Sequence, residues 1–160
     1  MDKFTKQKRR AIMQNVLSKN NKAEILIRKS IFRLGIRYRL HDNRLPGCPD
    51  IVIPKHKTVI FINGCLWHGH NCKRGAIPKT NIKYWTEKIK RNKERDFENI
   101  MDLFLLNWRV ITIWECSFRG LGKDNINILA SECYRFLISG ERYLELDSSF
   151  KSLIYKAKSP

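Results

Sequence analysis

The sequence predicts an α/β fold, a mixed central sheet flanked by helices. Three observations carry that prediction. "DIVI" (50–53) and "TVIFI" (58–62) are short apolar runs separated by the turn-forming "PKHK" (54–57), the pattern of a β-hairpin. A further apolar run, "NWRVITIW" (107–114), follows a segment of helical composition from about 80 to 106. Strand, helix, strand is a crossover, so 58–62 and 108–113 should be parallel neighbours or near-neighbours. Helical periodicity on both sides of this block supplies the covering layers.

Taken in order, residues 1–20 are basic and polar with few core positions, and they read as a helical or mobile arm. In "NKAEILIRKSIFRLG", Ile27, Ile31 and Leu34 recur at helical spacing, and Gly35 stands where a helix C-cap belongs. Ile36, Tyr38 and Leu40 alternate with Arg37 and Arg39, as in a half-buried strand. "DNRLPG" (42–47) is turn chemistry. If the hairpin turn centres between Lys55 and His56, facing residues have numbers that sum to about 111. Asp50 then lies beside Phe61 and Ile62, and "TVIFI", unbroken by polar residues, should be buried on both faces. "DNINILASECYRFLISG" (124–140) reads as a C-terminal helix, and residues 141–160 as a weakly structured tail. The expected organisation is an arm (1–20), one folded domain (21–140) and a tail (141–160), in the order α-β-β-β-α-β-α.

Charge bounds the function. The chain has 32 Lys and Arg against 15 Asp and Glu, a net charge of +17. Self-repulsion of that size destabilises a compact state, so a polyanionic partner is implied. Basic residues are spread along the whole chain, unlike a membrane-surface patch, and no run approaches the ~18 apolar residues of a membrane span. The N-terminal stretch lacks the apolar centre of a signal peptide, which implies a cytoplasmic protein. Five cysteines, an odd number, argue for metal binding by a subset rather than a disulfide framework.

The densest chemistry is in "FINGCLWHGHNCKRG" (61–75). Cys65, His70 and Cys72 lie close together, and Cys116 follows the strand "RVITIW". If the two strands run parallel, Cys116 arrives at the same end. Cys₃His is a closed, tetrahedral zinc set. With His68 there are five candidates for four places, and the sequence leaves open which histidine is left over. Buried core thiols with solvated loop histidines are the plainer alternative. Asp50, near irregular backbone carbonyls, suits Mg²⁺; the plainer alternative is that it caps the turn after Pro49. "PD" followed by two apolar strands is similar to the hairpin of PD-(D/E)xK nucleases. The second-strand acid and lysine of that superfamily are missing, because those positions read "FIN" (61–63). A nuclease here must obtain its second metal oxygen and its base elsewhere; a backbone carbonyl can supply the oxygen, and a histidine can act as base.

"LPGCPDIVI", "VIFINGCLWHGHNC", "YWTEKIKRNKERD" and "WRVITIWECSFRG" together resemble the very-short-patch mismatch-repair endonucleases (Vsr), in unbroken order from about residue 5 to 140. The resemblance implies a PD-(D/E)xK-like fold with a structural zinc. It also implies Mg²⁺-dependent nicking of double-stranded DNA on the 5′ side of the thymine in a T·G mismatch left by deamination of 5-methylcytosine. By the same resemblance Asp50 binds Mg²⁺ with the backbone carbonyl of Ile62, and His68 is the general base. Glu24 and Asp96 support the site. Cys65, His70, Cys72 and Cys116 hold zinc, while Leu66, Trp67 and Trp85 wedge into the base stack. Asn63 stands where the family's best-known member has a second active-site histidine; it can hydrogen-bond but cannot shuttle a proton. Leu66 replaces a phenylalanine, keeping bulk without aromatic stacking. The basic run "KIKRNKERD" (88–96) would follow the phosphates, or form a solvated face with internal salt bridges.

Functional links to a cytosine-5 DNA methyltransferase and to mismatch-repair proteins follow from the same resemblance, as does a monomeric state. Two other readings compete: a zinc-stabilised DNA-binding protein without catalysis, and a restriction-type nuclease that cuts unmismatched duplex.

Overall fold

The computed structural model describes residues 7–8, 22–120 and 123–150. Apart from residues 7–8, the expected arm lies outside the described residues. The ordered elements are α1 (Lys22–Arg33), β1 (Arg39–Leu40), β2 (Ile51–Ile53), β3 (Thr58–Asn63), α2 (Ile82–Leu105), β4 (Arg109–Trp114), α3 (Glu115–Phe118), α4 (Lys123–Ile138) and β5 (Tyr143–Leu146). The strands form one sheet in the order β1-β2-β3-β4-β5. The first two pairings are antiparallel and the last two parallel.

The hairpin register follows from its turn. A 3₁₀ turn at Pro54–His56 hands over to Lys57 in the left-handed region (φ 44°). Ile51 then faces Ile60, Val52 faces Val59 and Ile53 faces Thr58. The crossover is parallel as expected, with β3 and β4 direct neighbours from Thr58–Arg109 to Asn63–Trp114.

Alternation along these strands feeds two core layers. Ile51, Ile53, Ile60, Ile111 and Ile113 join Ile27 and Ile31 of α1 and Leu129, Ala130 and Cys133 of α4 in one cluster. Val52, Val59 and Val110 turn the other way onto Leu103 of α2. Each fully buried aliphatic side chain contributes about 1.5–3 kcal/mol. The sheet is therefore sandwiched, with α1 and α4 on one face and α2 on the other. Ser30 Oγ, donating to Asn127 Oδ1 at 3.0 Å, ties α1 to α4. Among the described residues no helix is long and apolar enough to cross a membrane.

Four expectations need correction. Leu34 lies beyond the end of α1 and is exposed, because the chain turns away at Gly35 (φ 81°) before Ile36 re-enters the core. Leu40 is also exposed, because β1 is a two-residue strand at the edge of the sheet. Strand β3 is buried only over Thr58–Ile60; Phe61–Asn63 are half-buried, since this end opens into a cleft. Finally, the expected tail of 141–160 contains β5, paired in parallel with β4. Arg109 explains why so short and polar a segment as "YLEL" is held there. Its guanidinium donates to the carbonyls of Leu137 (3.1 Å), Ser139 (2.9 Å), Glu141 (2.7 Å) and Phe136. It thereby satisfies the orphan carbonyls at the end of α4 and fixes the turn into β5.

Candidate active site and metal centre

The parallel pair β3–β4 runs into the loop after β3 and the short helix α3 after β4, which carry most of the candidate chemistry. Asp50 precedes β2, and the hairpin register sets it opposite the end of β3. Its Oδ2 accepts a hydrogen bond from the Ile62 N–H at 2.7 Å. Burial pushes the Asp50 carboxyl above the ordinary carboxylate range; the Ile62 N–H opposes this and the Glu24 charge adds to it. Glu24, in the first turn of α1, is 2% exposed and lies 3.4 Å from Arg28.

Between these carboxylates stands His41, a residue that the sequence reading missed. Its N–H donates to the Asp50 carbonyl at 3.3 Å, extending the β1–β2 ladder by one pair. His41 adopts φ 48°, in the left-handed region. Its ring projects between the two acids, with Nε2 3.5 Å from Glu24 Oε1 and Nδ1 3.8 Å from Asp50 Oδ1. Nε2 is buried and has no hydrogen-bond partner among the described residues. Glu24, His41 and Asp50 each offer a ligand atom, all within 4.8 Å of one another, so the three could hold a metal ion. The β1–β2 register is what places it there. Leu40 faces Ile51, so His41 at the strand end must face Asp50. It was overlooked because strand β1 is too short to announce its pairing.

His68 Nδ1 lies 2.5 Å from Asp96 Oδ2 on α2. Burial acts to raise the Asp96 carboxyl, but the His68 hydrogen bond and charge, helped by Arg95, hold it below the ordinary range. Asp96 is thus an ionised acceptor that fixes the proton on Nδ1 and leaves Nε2 as the imidazole's basic atom. Gly69 (φ 61°) permits the approach of this loop to α2, since an added Cβ would sit 2.4 Å from Ile89 Cγ2. Asn92 Nδ2 donates to the Trp67 carbonyl at 2.7 Å and pins the same loop. His68, Asp96 and Asn63 line a cleft of about 320 Å³.

The second centre lies beside the first. Cys65, His70, Cys72 and Cys116 present their ligand atoms within 4.8 Å of one another, a set that could hold a metal ion. His70 Nδ1 is 3.5 Å from Cys116 Sγ, its ring stacks on Trp114 at 4.4 Å, and its Nε2 faces Asp147 Oδ2 at 3.7 Å. Burial pushes the Cys65 thiol up to about 12. Burial acts on Cys72 too, but hydrogen bonds from His70 and from the backbone at Arg74 and Gly75 outweigh it and lower the thiol to about 7. Only glycine fits at 75, where a Cβ would lie 1.8 Å from the His70 carbonyl oxygen. The remaining cysteines are apart from this set: Cys133 is in the core and Cys48 is on the loop before Asp50.

Trp67 and Trp85 are half-buried and touch, with ring centroids 5.4 Å apart. Lys88 Nζ lies 5.3 Å from the Trp67 ring centroid. Leu66 is half-buried in the same loop. Tyr84, Lys88, Arg91 and Arg95 border a second, basic groove on α2. Charge and aromatic surface therefore adjoin the cleft, as a nucleic-acid face requires.

Known proteins share these blocks. A family profile described as "DNA mismatch endonuclease Vsr" matches residues 1–74. The chain is 45% identical over 133 residues to the type II nicking enzyme V.NmeAIP of Neisseria meningitidis, covering 82% of this chain and 95% of that enzyme. It is 42% identical over 121 residues to V.XorIIP, a type II nicking enzyme of Xanthomonas oryzae, covering 76% and 89%. It is 38% identical over 122 residues to the DNA mismatch endonuclease Vsr of Escherichia coli, covering 76% of each chain. Identity at that level, sustained over most of both chains, establishes that this protein belongs to the Vsr family of DNA mismatch endonucleases.

Proposed function

We propose that the protein is a Mg²⁺-dependent endonuclease that nicks one strand of duplex DNA 5′ to the thymine of a T·G mismatch, the product of 5-methylcytosine deamination. The observation that carries this reading is the His68–Asp96 pair, beside Asp50 and outside the Cys₃His set. The hairpin carrying Asp50 supports a PD-(D/E)xK-like fold in which the acid and lysine of the second strand are replaced.

The donor set suits the cation. Asp50 and the Ile62 carbonyl are hard oxygen ligands, and Glu24 adds a buried carboxylate alongside. When bound, Mg²⁺ supplies charge relief on the phosphate and on the leaving oxygen. The protein's own residues do the rest. Asp96 orients His68, whose Nε2 accepts the proton of the attacking water. Asn63, on the cleft wall, offers its amide as a hydrogen-bonding group. Cys65, His70, Cys72 and Cys116 suit zinc in a closed structural site that fastens the loop of residues 64–75 to the end of β4. Leu66, Trp67 and Trp85 enter the weakened stack beside the wobble pair, where separation costs less than in normal duplex.

Such an enzyme would act as a monomer in the cytoplasm, alongside a cytosine-5 methyltransferase and mismatch-repair proteins. The test is nicking of paired duplexes, one matched and one carrying T·G, with Mg²⁺ or EDTA. Nicking of the T·G strand alone, dependent on Mg²⁺, is expected. Cutting of both duplexes would favour a restriction-type nuclease. Binding without cutting would favour the non-catalytic reading, for which Asn63 is the supporting feature.

A further inference from the structure

The geometry points to His41 as a nitrogen ligand, with Asp50 and Glu24, to the divalent cation of this site. The inference rests on the reading of Asp50 as a metal-binding acid and extends it to a residue outside the sequence-derived set. Four observations converge. Both ring nitrogens face carboxylate oxygens, at 3.5 and 3.8 Å, yet neither makes a hydrogen bond to them. Buried polar atoms are almost always satisfied, and Nε2 is not. The ligand atoms of Glu24, His41 and Asp50 lie within 4.8 Å of one another, a grouping that could hold one metal ion. Finally, His41 takes up a left-handed backbone (φ 48°), uncommon outside glycine, to aim its ring there.

Arg28 shares Glu24 Oε1 and offsets part of the local negative charge, but it does not reach the unsatisfied nitrogen. A cation does. A nitrogen ligand also changes selectivity. Carboxylate and carbonyl oxygens suit Mg²⁺, whereas imidazole favours first-row transition ions. The site should therefore bind Fe²⁺ or Ni²⁺ more tightly than an all-oxygen site of the same charge, while Mn²⁺, which also suits its oxygens, serves as the spectroscopic probe.

The test is pulsed electron paramagnetic resonance of Mn²⁺ added to the zinc-loaded full chain, together with a Mn²⁺ titration. Hyperfine coupling to one imidazole nitrogen is expected in the wild type. It should vanish in His41→Gln and persist in His68→Gln, and His41→Gln should weaken Mn²⁺ binding by about tenfold or more. Absence of nitrogen coupling in the wild type, or its persistence in His41→Gln, overturns the proposal, and the wild-type spectrum decides even if the variant folds poorly. Asp50→Asn separates the two readings. If it abolishes Mn²⁺ binding while the wild type shows no nitrogen coupling, Asp50 holds the metal and His41 does not. If Mn²⁺ binding is unchanged in Asp50→Asn, the reading of Asp50 fails and the His41 proposal fails with it.

Discussion

Asp96 on α2 holds His68 by a 2.5 Å contact to Nδ1, and so draws one histidine of the "HGH" stretch away from the cysteines that surround the other. Neighbouring histidines in one loop thereby acquire different partners. His68 gains a carboxylate partner and a free Nε2 at the cleft, whereas His70 turns Nδ1 toward Cys116.

That division predicts different phenotypes. His68→Ala should keep the fold and the bound zinc but reduce nicking by about 10²–10⁴-fold, the usual loss of a general base. His70→Ala should lose zinc and unfold more readily, since structural zinc binding is coupled to folding. Zinc content, thermal unfolding and single-turnover nicking of both variants check this. An exchange of phenotypes between them would reverse the assignment.

Asp50→Asn should abolish nicking yet raise the thermal midpoint of the protein at pH 7 without added Mg²⁺. Burial raises the Asp50 carboxyl in the folded state. The stability tied to its proton is fully present below the unfolded value of about 3.9. It is lost as pH rises through the higher folded value. At neutral pH the ionised group therefore weakens the metal-free fold, and the neutral amide removes that penalty. The gain over wild type should shrink below pH 4; a midpoint at pH 7 equal to or below that of wild type would contradict the burial argument.

Trp67→Ala should lower the preference for T·G over T·A duplex while leaving slow Mg²⁺-dependent nicking. A loss of about five- to 150-fold in discrimination corresponds to the ~1–3 kcal/mol of one base–aromatic stack. Competition binding with both duplexes measures it. Unchanged discrimination would leave Trp67 a packing partner of Trp85.

If the net charge of +17 serves DNA binding, affinity should fall steeply with salt. Contact with about six phosphates would cost about three orders of magnitude between roughly 50 and 200 mM. A flat response in a fluorescence-anisotropy titration would assign the basic residues another role.

Arg109→Met should lower stability by about 2 kcal/mol, because it removes charge-assisted hydrogen bonds to the carbonyls that end α4. Urea unfolding reads the loss. Hydrogen exchange should increase first in β5, whose entry turn Arg109 holds. Protection of β5 equal to that of wild type would show that pairing with β4 alone retains the strand.

What the sequence alone determined is local or periodic. The "PKHK" turn alone sets the hairpin register, which puts Asp50 beside Ile62. The strand–helix–strand order implied the parallel pairing that carries Cys116 to the end of β4, near Cys65. The tertiary structure decided what depends on contacts between elements. The sequence contains five candidate ligands; the packing of α2 against the loop gives Asp96 to His68 and leaves His70 with the cysteines. His41 acquires its place between two acids only when the start of α1 meets the β1–β2 edge. Strand β5 forms because β4 presents an open edge and Arg109 reaches across to hold the turn, not because "YLEL" has a strong pattern of its own. Leu34 and Leu40 show the converse. Periodicity marks which residues could be buried, but whether one is buried depends on another element lying over it.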